Sequence, residues 1–289
     1  MELHWRTNEG VSLFHAVDQV RRGYSLSTAN LAAALAEPTA KLVASVKEER
    51  LVPELFWRHL VPLAAEFDNP RQLAEVLLVK LQGRTEARVR IPRFTRNLTS
   101  LRSAYDQAAP SLDDAAPQIE ALKQNWAQHG AGLVAGLKTW TEDAILVDEA
   151  VIYVVPPVTP GGGWMHLPYN SVRIEPVADK EGDVPEVLRL AWLLGPLNLD
   201  MPAYSEAIMA LRLDRVAALA MIPVTLAAAE NLHLESCTPE RIGHAFKRWL
   251  PSAEADPAVA DTLADWWETY KSRRPPWSAA LVSLDRLLA

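Results

Sequence analysis

The sequence predicts an α+β protein dominated by helix, with a small mixed β-sheet in the middle, helices packed on it, and helical parts at both ends. Apolar residues recur at helical spacing over most of the 289 residues. Two short runs, Ala150–Val155 and Ser171–Glu175, carry strand patterns instead. Proline and glycine punctuate the helices at positions where caps and stops belong.

Val11, Phe14, Val17 and Val20 form one apolar stripe, stopped by Gly23. Helices are expected around Thr28–Ala36 and Thr39–Glu49, divided by Pro38, and over Glu54–Phe67. Asn69 caps a helix that starts at Pro70, carries Leu73, Val76, Leu77 and Leu81 on one face, and ends at Gly83. The period then changes: Ala87, Val89 and Ile91 alternate with Arg88 and Arg90, which predicts a half-buried strand ended by Pro92. Helical spacing returns at Leu98–Tyr105 and over Ile119–Trp140, the latter loosened by Gly130, Gly132 and Gly136.

Ala150–Val155 is a β-branched run stopped by Pro156-Pro157 and expected to be buried on both faces. Ser171–Glu175 alternates apolar and charged residues, which predicts an edge strand. The loop from Val158 to Trp164 joins them. Further helices are expected at Pro185–Leu199, Ser205–Asn231, after Thr238-Pro239, after Asp256-Pro257, and over the last dozen residues. The expected organisation is a helical part over 1–83, a small α+β part over 84–202 and a helical part over 203–289, within one body.

The net charge of −7 argues against a general nucleic-acid binder, which would carry a basic excess. A single cysteine, Cys237, forbids an intramolecular disulfide. With an N-terminus that lacks the charged-then-apolar pattern of a secretion signal, this leads to an expected cytoplasmic location. The longest uncharged apolar stretch, Val216–Ala229, is interrupted by Pro223 and falls short of the roughly 20 residues that a membrane span needs.

The densest charged feature is basic. Lys80, Arg84, Arg88, Arg90, Arg93, Arg96 and Arg102 face a single acid, Glu86. Guanidinium forks hold phosphates and carboxylates, so Arg84, Arg88, Arg90, Arg93 and Arg96 are candidate anion-binding residues. A solvated face paired with acids elsewhere is the ordinary alternative. Gly161, Gly162 and Gly163 follow a strand, yet Trp164, Met165 and His166 stand where a phosphate loop needs Lys and Ser or Thr, so a plain turn is expected. The histidines are scattered, with no i, i+4 pair, and Cys237 lacks a nucleophile context. Trp266, Trp267, Tyr270 and Trp277 are expected to pack in the core. No catalytic, cofactor-binding or metal-ligating residue is assigned.

Residues 145–200 run from buried strand through glycine loop to a second strand and then a helix. The helix reads Leu190-Ala191-Trp192-Leu193-Leu194-Gly195-Pro196-Leu197. This layout resembles the core of zincin-type metalloproteases, whose helix carries His-Glu-x-x-His. Ala191, Leu194, Gly195 and Leu197 match the usual context of that motif. Trp192, Leu193 and Pro196 occupy its functional positions and offer no zinc-binding atom. The resemblance implies a metalloprotease-like scaffold without its metal.

The expected function is that of a non-catalytic cytoplasmic interaction or structural protein with an unidentified protein partner and no cofactor, nucleic acid or membrane. One alternative is a hydrolase with a cleft near Gly161–Gly163, His166 and Trp192. The other is an anion-binding protein using Arg84–Arg102.

Overall fold

The structure, a computed structural model, describes residues 1–159, 161–180, 182–250 and 256–289. Pro160, within the expected glycine loop, lies outside them. The elements in chain order are β1 (Glu2–Thr7), α1 (Glu9–Arg21), α2 (Ala29–Glu48), α3 (Pro53–Leu63), α4 (Pro70–Gln82), α5 (Arg84–Asp106), α6 (Ala116–Trp140), β2 (Glu149–Val154), β3 (Gly163–His166) and β4 (Ser171–Ile174). There follow α7 (Glu186–Leu194), α8 (Pro202–Ser205), α9 (Ala210–Glu230), α10 (Pro239–Trp249), α11 (Pro257–Arg273) and α12 (Trp277–Leu287). This is the predominantly helical α+β class that the spacing predicts. Two compact units divide it: Trp5–Ala116 with Tyr153–Gly162, and Met1–His4 with Pro117–Ile152 and Gly163–Ala289.

The first unit holds α1 to α5. Caps fix its helix starts: Asn8 accepts from the Val11 amide at 2.9 Å, and Asn69 accepts from Arg71 and Gln72 at the start of α4. Pro38 does not divide two helices; α2 runs through it. An interior proline costs about 3 kcal/mol. Leu31, Leu35, Leu42 and Val46 are buried along one stripe of α2, at roughly 1.5–3 kcal/mol each, and that outweighs the proline.

The expected strand at Ala87–Ile91 is also helix, within α5. The alternation of Ala87, Val89 and Ile91 is incidental to burial, because Ala87 is fully buried while Val89 is 85% exposed. A strand would put both on one face. The deciding stripe is Ala87, Phe94, Leu98, Leu101 and Tyr105, at helical spacing, and Pro92 is carried inside the helix on the strength of it.

In the second unit the sheet order is β1-β2-β4-β3, with the division between units falling inside β1 and β2. Two strands went unpredicted. β1 lies at the chain start, and β3 lies in what reads as loop. β3 pairs antiparallel with β4 from Gly163↔Ile174 to His166↔Ser171. β4 is therefore interior and not an edge, and Arg173, the residue that gave it an alternating look, is buried.

α7 packs on β3 and β4, as the layout predicts, but ends at Leu194, so Pro196 lies beyond it. α9 is buried from Val216 to Ala229 and enclosed by α7, α10, α11 and α12. The glycines of α6 make room for packing. A Cβ at Gly136 would stand 2.6 Å from the Ala228 Cβ of α9. Trp266, Trp267, Tyr270 and Trp277 are buried and in mutual ring contact.

Candidate functional site

α4 and α5 are joined by Gly83 alone, whose φ of 82° only glycine adopts readily. Packed along each other from that corner, the two helices run antiparallel and leave a groove of about 1460 Å³ between their outer faces. The helical period sorts the basic stretch into two sets.

Arg90 and Arg93 point to α2. Arg90 Nε lies 2.8 Å from Glu49, and Arg93 pairs with Glu48 and Glu49 and donates to the Ser45 hydroxyl at 3.1 Å. These two are structural ion pairs, the ordinary reading of such a stretch. Arg84, Arg88 and Arg96 line the groove with Arg71 and Lys80 of α4, and Glu75 is its single acid. Among the described residues, Arg71, Arg84, Arg88 and Arg96 have no carboxylate within ion-pair distance. All four are exposed.

One groove cation, Lys80, also acts on a neighbour. His59 of α3 has its imidazole pKa lowered to about 4, by burial first, then by Lys80 and Arg58.

The second concentration of polar groups is buried, in the other unit, where α7 meets β3 and β4. Arg189 donates to Glu186 through Nε at 2.9 Å and to the Glu175 carbonyl at 2.6 Å. Glu186 also accepts from the Val177 amide, and its own amide donates to Asp179 at 2.6 Å. The built Cβ of Gly163 would fall 3.1 Å from Arg189, so the last glycine of the run gives the guanidinium its place. Beside it, Arg173 stands 2.8 Å from His166 Nε2, and His166 Nδ1 stands 3.1 Å from the Ser171 hydroxyl. Guanidinium only donates, so Nε2 accepts and Nδ1 carries the proton toward Ser171. A base for Ser171 would need a free imidazole lone pair, and Arg173 takes it.

A cavity of about 240 Å³ touches Asp179 and Glu186 from the side of Gln118 and Asn125, but both carboxylates are already engaged.

No protein-family model, curated protein or solved structure matches the chain.

Function must therefore be read from the side chains themselves. Of the candidate anion-binding residues, Arg84, Arg88 and Arg96 share the groove, and Arg90 and Arg93 do not. Arg71 and Lys80 join them from α4; only a helical reading of 84–96 could have signalled this, since it folds that segment back along α4. Of the residues expected at a cleft, Gly161 and Gly162 belong to a turn, and His166 and Trp192 are buried. Gly161 has a φ of 86°, and Gly162 donates to the Thr159 carbonyl at 2.9 Å, which makes a turn. His166 is 2% exposed. Trp192 is fully enclosed, with its indole N–H on the Ala218 carbonyl at 2.7 Å and its ring stacked on Trp249. Among the described residues no three His, Cys, Asp or Glu side chains converge as metal ligands would, and no helix is long and apolar enough to cross a membrane.

Proposed function

We propose that the protein is a non-catalytic binding protein that holds an anionic ligand in the groove between α4 and α5. The observation that carries this reading is the set of arginines Arg71, Arg84, Arg88 and Arg96, which share one groove without internal carboxylate partners in a chain of net charge −7. Acids are abundant in this chain, and Arg90 and Arg93 have used them; the groove arginines have not. Uncompensated guanidinium groups in a concave surface attract anions and hold them by forked hydrogen bonds.

On the same reading, the zincin-like segment serves as scaffold. Trp192, Leu193 and Pro196 supply no metal-binding atom, and the His166 lone pair is held by Arg173, which supports binding over hydrolysis.

The test is titration with heparin or inorganic polyphosphate over a range of salt. Affinity should fall steeply as salt rises, by up to about one power of salt concentration for each phosphate neutralised. Binding that ignores salt, or no binding at low salt, would overturn the reading.

A further inference from the structure

The groove has two kinds of lining, and a small anion would use only one of them. Counting outward from Gly83 along the antiparallel pair puts Lys80 and Arg84 near the corner, and Arg71 across from Arg96 at the far end. Between these cationic ends the floor is mainly apolar, made of Val76, Val79, Ile91 and Pro92, with Glu75 and Thr95 toward the far end. Val76, Val79 and Ile91 are half-buried, so this floor is open to an occupant.

Size narrows the occupant. The groove, at about 1460 Å³, exceeds the roughly 300–1,000 Å³ typical of small-molecule pockets. From Arg84 to Arg96 the helical rise gives about 18 Å, or roughly three turns of a helix laid alongside. Chemistry narrows it further. The lining has no aromatic side chain, so nucleic-acid bases would find no stacking platform, and a phosphate backbone has no use for an apolar floor.

We propose that the groove takes an acidic amphipathic helix of a partner protein. Its apolar stripe lies on Val76, Val79, Ile91 and Pro92, and its carboxylates meet Arg84 and Arg88 at one end and Arg71 and Arg96 at the other. This is helix-in-groove recognition, in which apolar contact supplies affinity and charge sets the register. The inference rests on the anion-binding reading above and gives it an occupant.

The test uses the full chain and three probes: a synthetic peptide of about 15 residues with leucines at i, i+3, i+4 and i+7 among glutamates, a scrambled peptide of the same composition, and inorganic polyphosphate. Binding is read by fluorescence anisotropy and helicity by circular dichroism. The striped peptide should bind at least about tenfold tighter than the scrambled one and gain helix on binding. The double variant Arg84→Ser with Arg88→Ser should weaken both the striped peptide and polyphosphate, and Arg96→Ser should do the same from the other end. Ile91→Gln should weaken the striped peptide about tenfold and leave polyphosphate within about twofold.

Equal affinity for the two peptides, or polyphosphate binding with neither peptide bound, would overturn the helix inference and leave the anion-binding reading standing. A wild-type protein that ignores polyphosphate as well would overturn that reading and the inference with it.

Discussion

Trp192 of α7 is held in the interior against α9 and α10. Its ring is fully buried against Trp249 and its N–H is satisfied by Ala218. Trp192→Ala should cost about 3–5 kcal/mol, as other large-to-small core changes do. A chemical-denaturation midpoint equal to wild type would contradict this. The Glu186–Arg189 pair makes the complementary case for a buried charge. Both side chains are under 10% exposed, and removing one leaves the other charged and uncompensated. Glu186→Gln should destabilise by about 3–5 kcal/mol. The double change Glu186→Leu with Arg189→Met should cost clearly less than the sum of the single changes, and additive costs would show that the two side chains act independently. Neither role was fully legible beforehand. The helical spacing of Leu188, Trp192 and Leu199 points Trp192 at the core. The i, i+3 spacing of Glu186 and Arg189 allows their pairing, but nothing local told that these charges and that of Arg173 would be enclosed, because Arg189 also reaches the Glu175 carbonyl after β4 and Arg173 reaches His166 of β3.

Helices were legible from a stripe in α1, from a cap followed by proline in α10 and α11, and from both in α4. They were misread where a local rule competed with burial. Pro38 and Pro92 argue for breaks, yet α2 and α5 each bury enough apolar surface to absorb the lost hydrogen bond. Glycines in α6 look like weak points and are close-approach sites. Gly136→Ala should therefore destabilise, by about 1–3 kcal/mol, because the added carbon meets Ala228 of α9; a rise in melting temperature would mean that the helix gains more from alanine propensity than it loses in contact.

The α3–α4 contact carries a pH signature. His59, at about 4 against an ordinary value of 6.5, resists protonation when folded, whereas the unfolded chain takes up the proton as pH drops through 6.5. The stabilisation is thus present above about pH 6.5 and lost as pH falls toward 4. His59→Gln should flatten the melting temperature against pH in that window. A profile as steep as that of wild type would assign the acid sensitivity elsewhere.

At the scale of the whole molecule, charge distribution says more than net charge. A total of −7 argued against a general nucleic-acid binder, but folding separates the acids that serve Arg90 and Arg93 from the arginines that face the groove. The basic stretch was visible in sequence. Its division into paired and unpaired sets was not, because reading Ala87–Ile91 as a strand put Arg88 and Arg90 on one face. In the helix they are two residues apart and point to different neighbours. This difference gives the most direct measurement of the account. Arg88→Ser and Arg90→Ser each remove one positive charge from the same turn of α5, on different faces, and each can be titrated with heparin at low and high salt. The groove account predicts that Arg88→Ser weakens binding severalfold and lowers its salt dependence by about one unit of slope, while Arg90→Ser leaves both near wild type. Equal loss from the two variants, or a larger loss from Arg90→Ser, would contradict it.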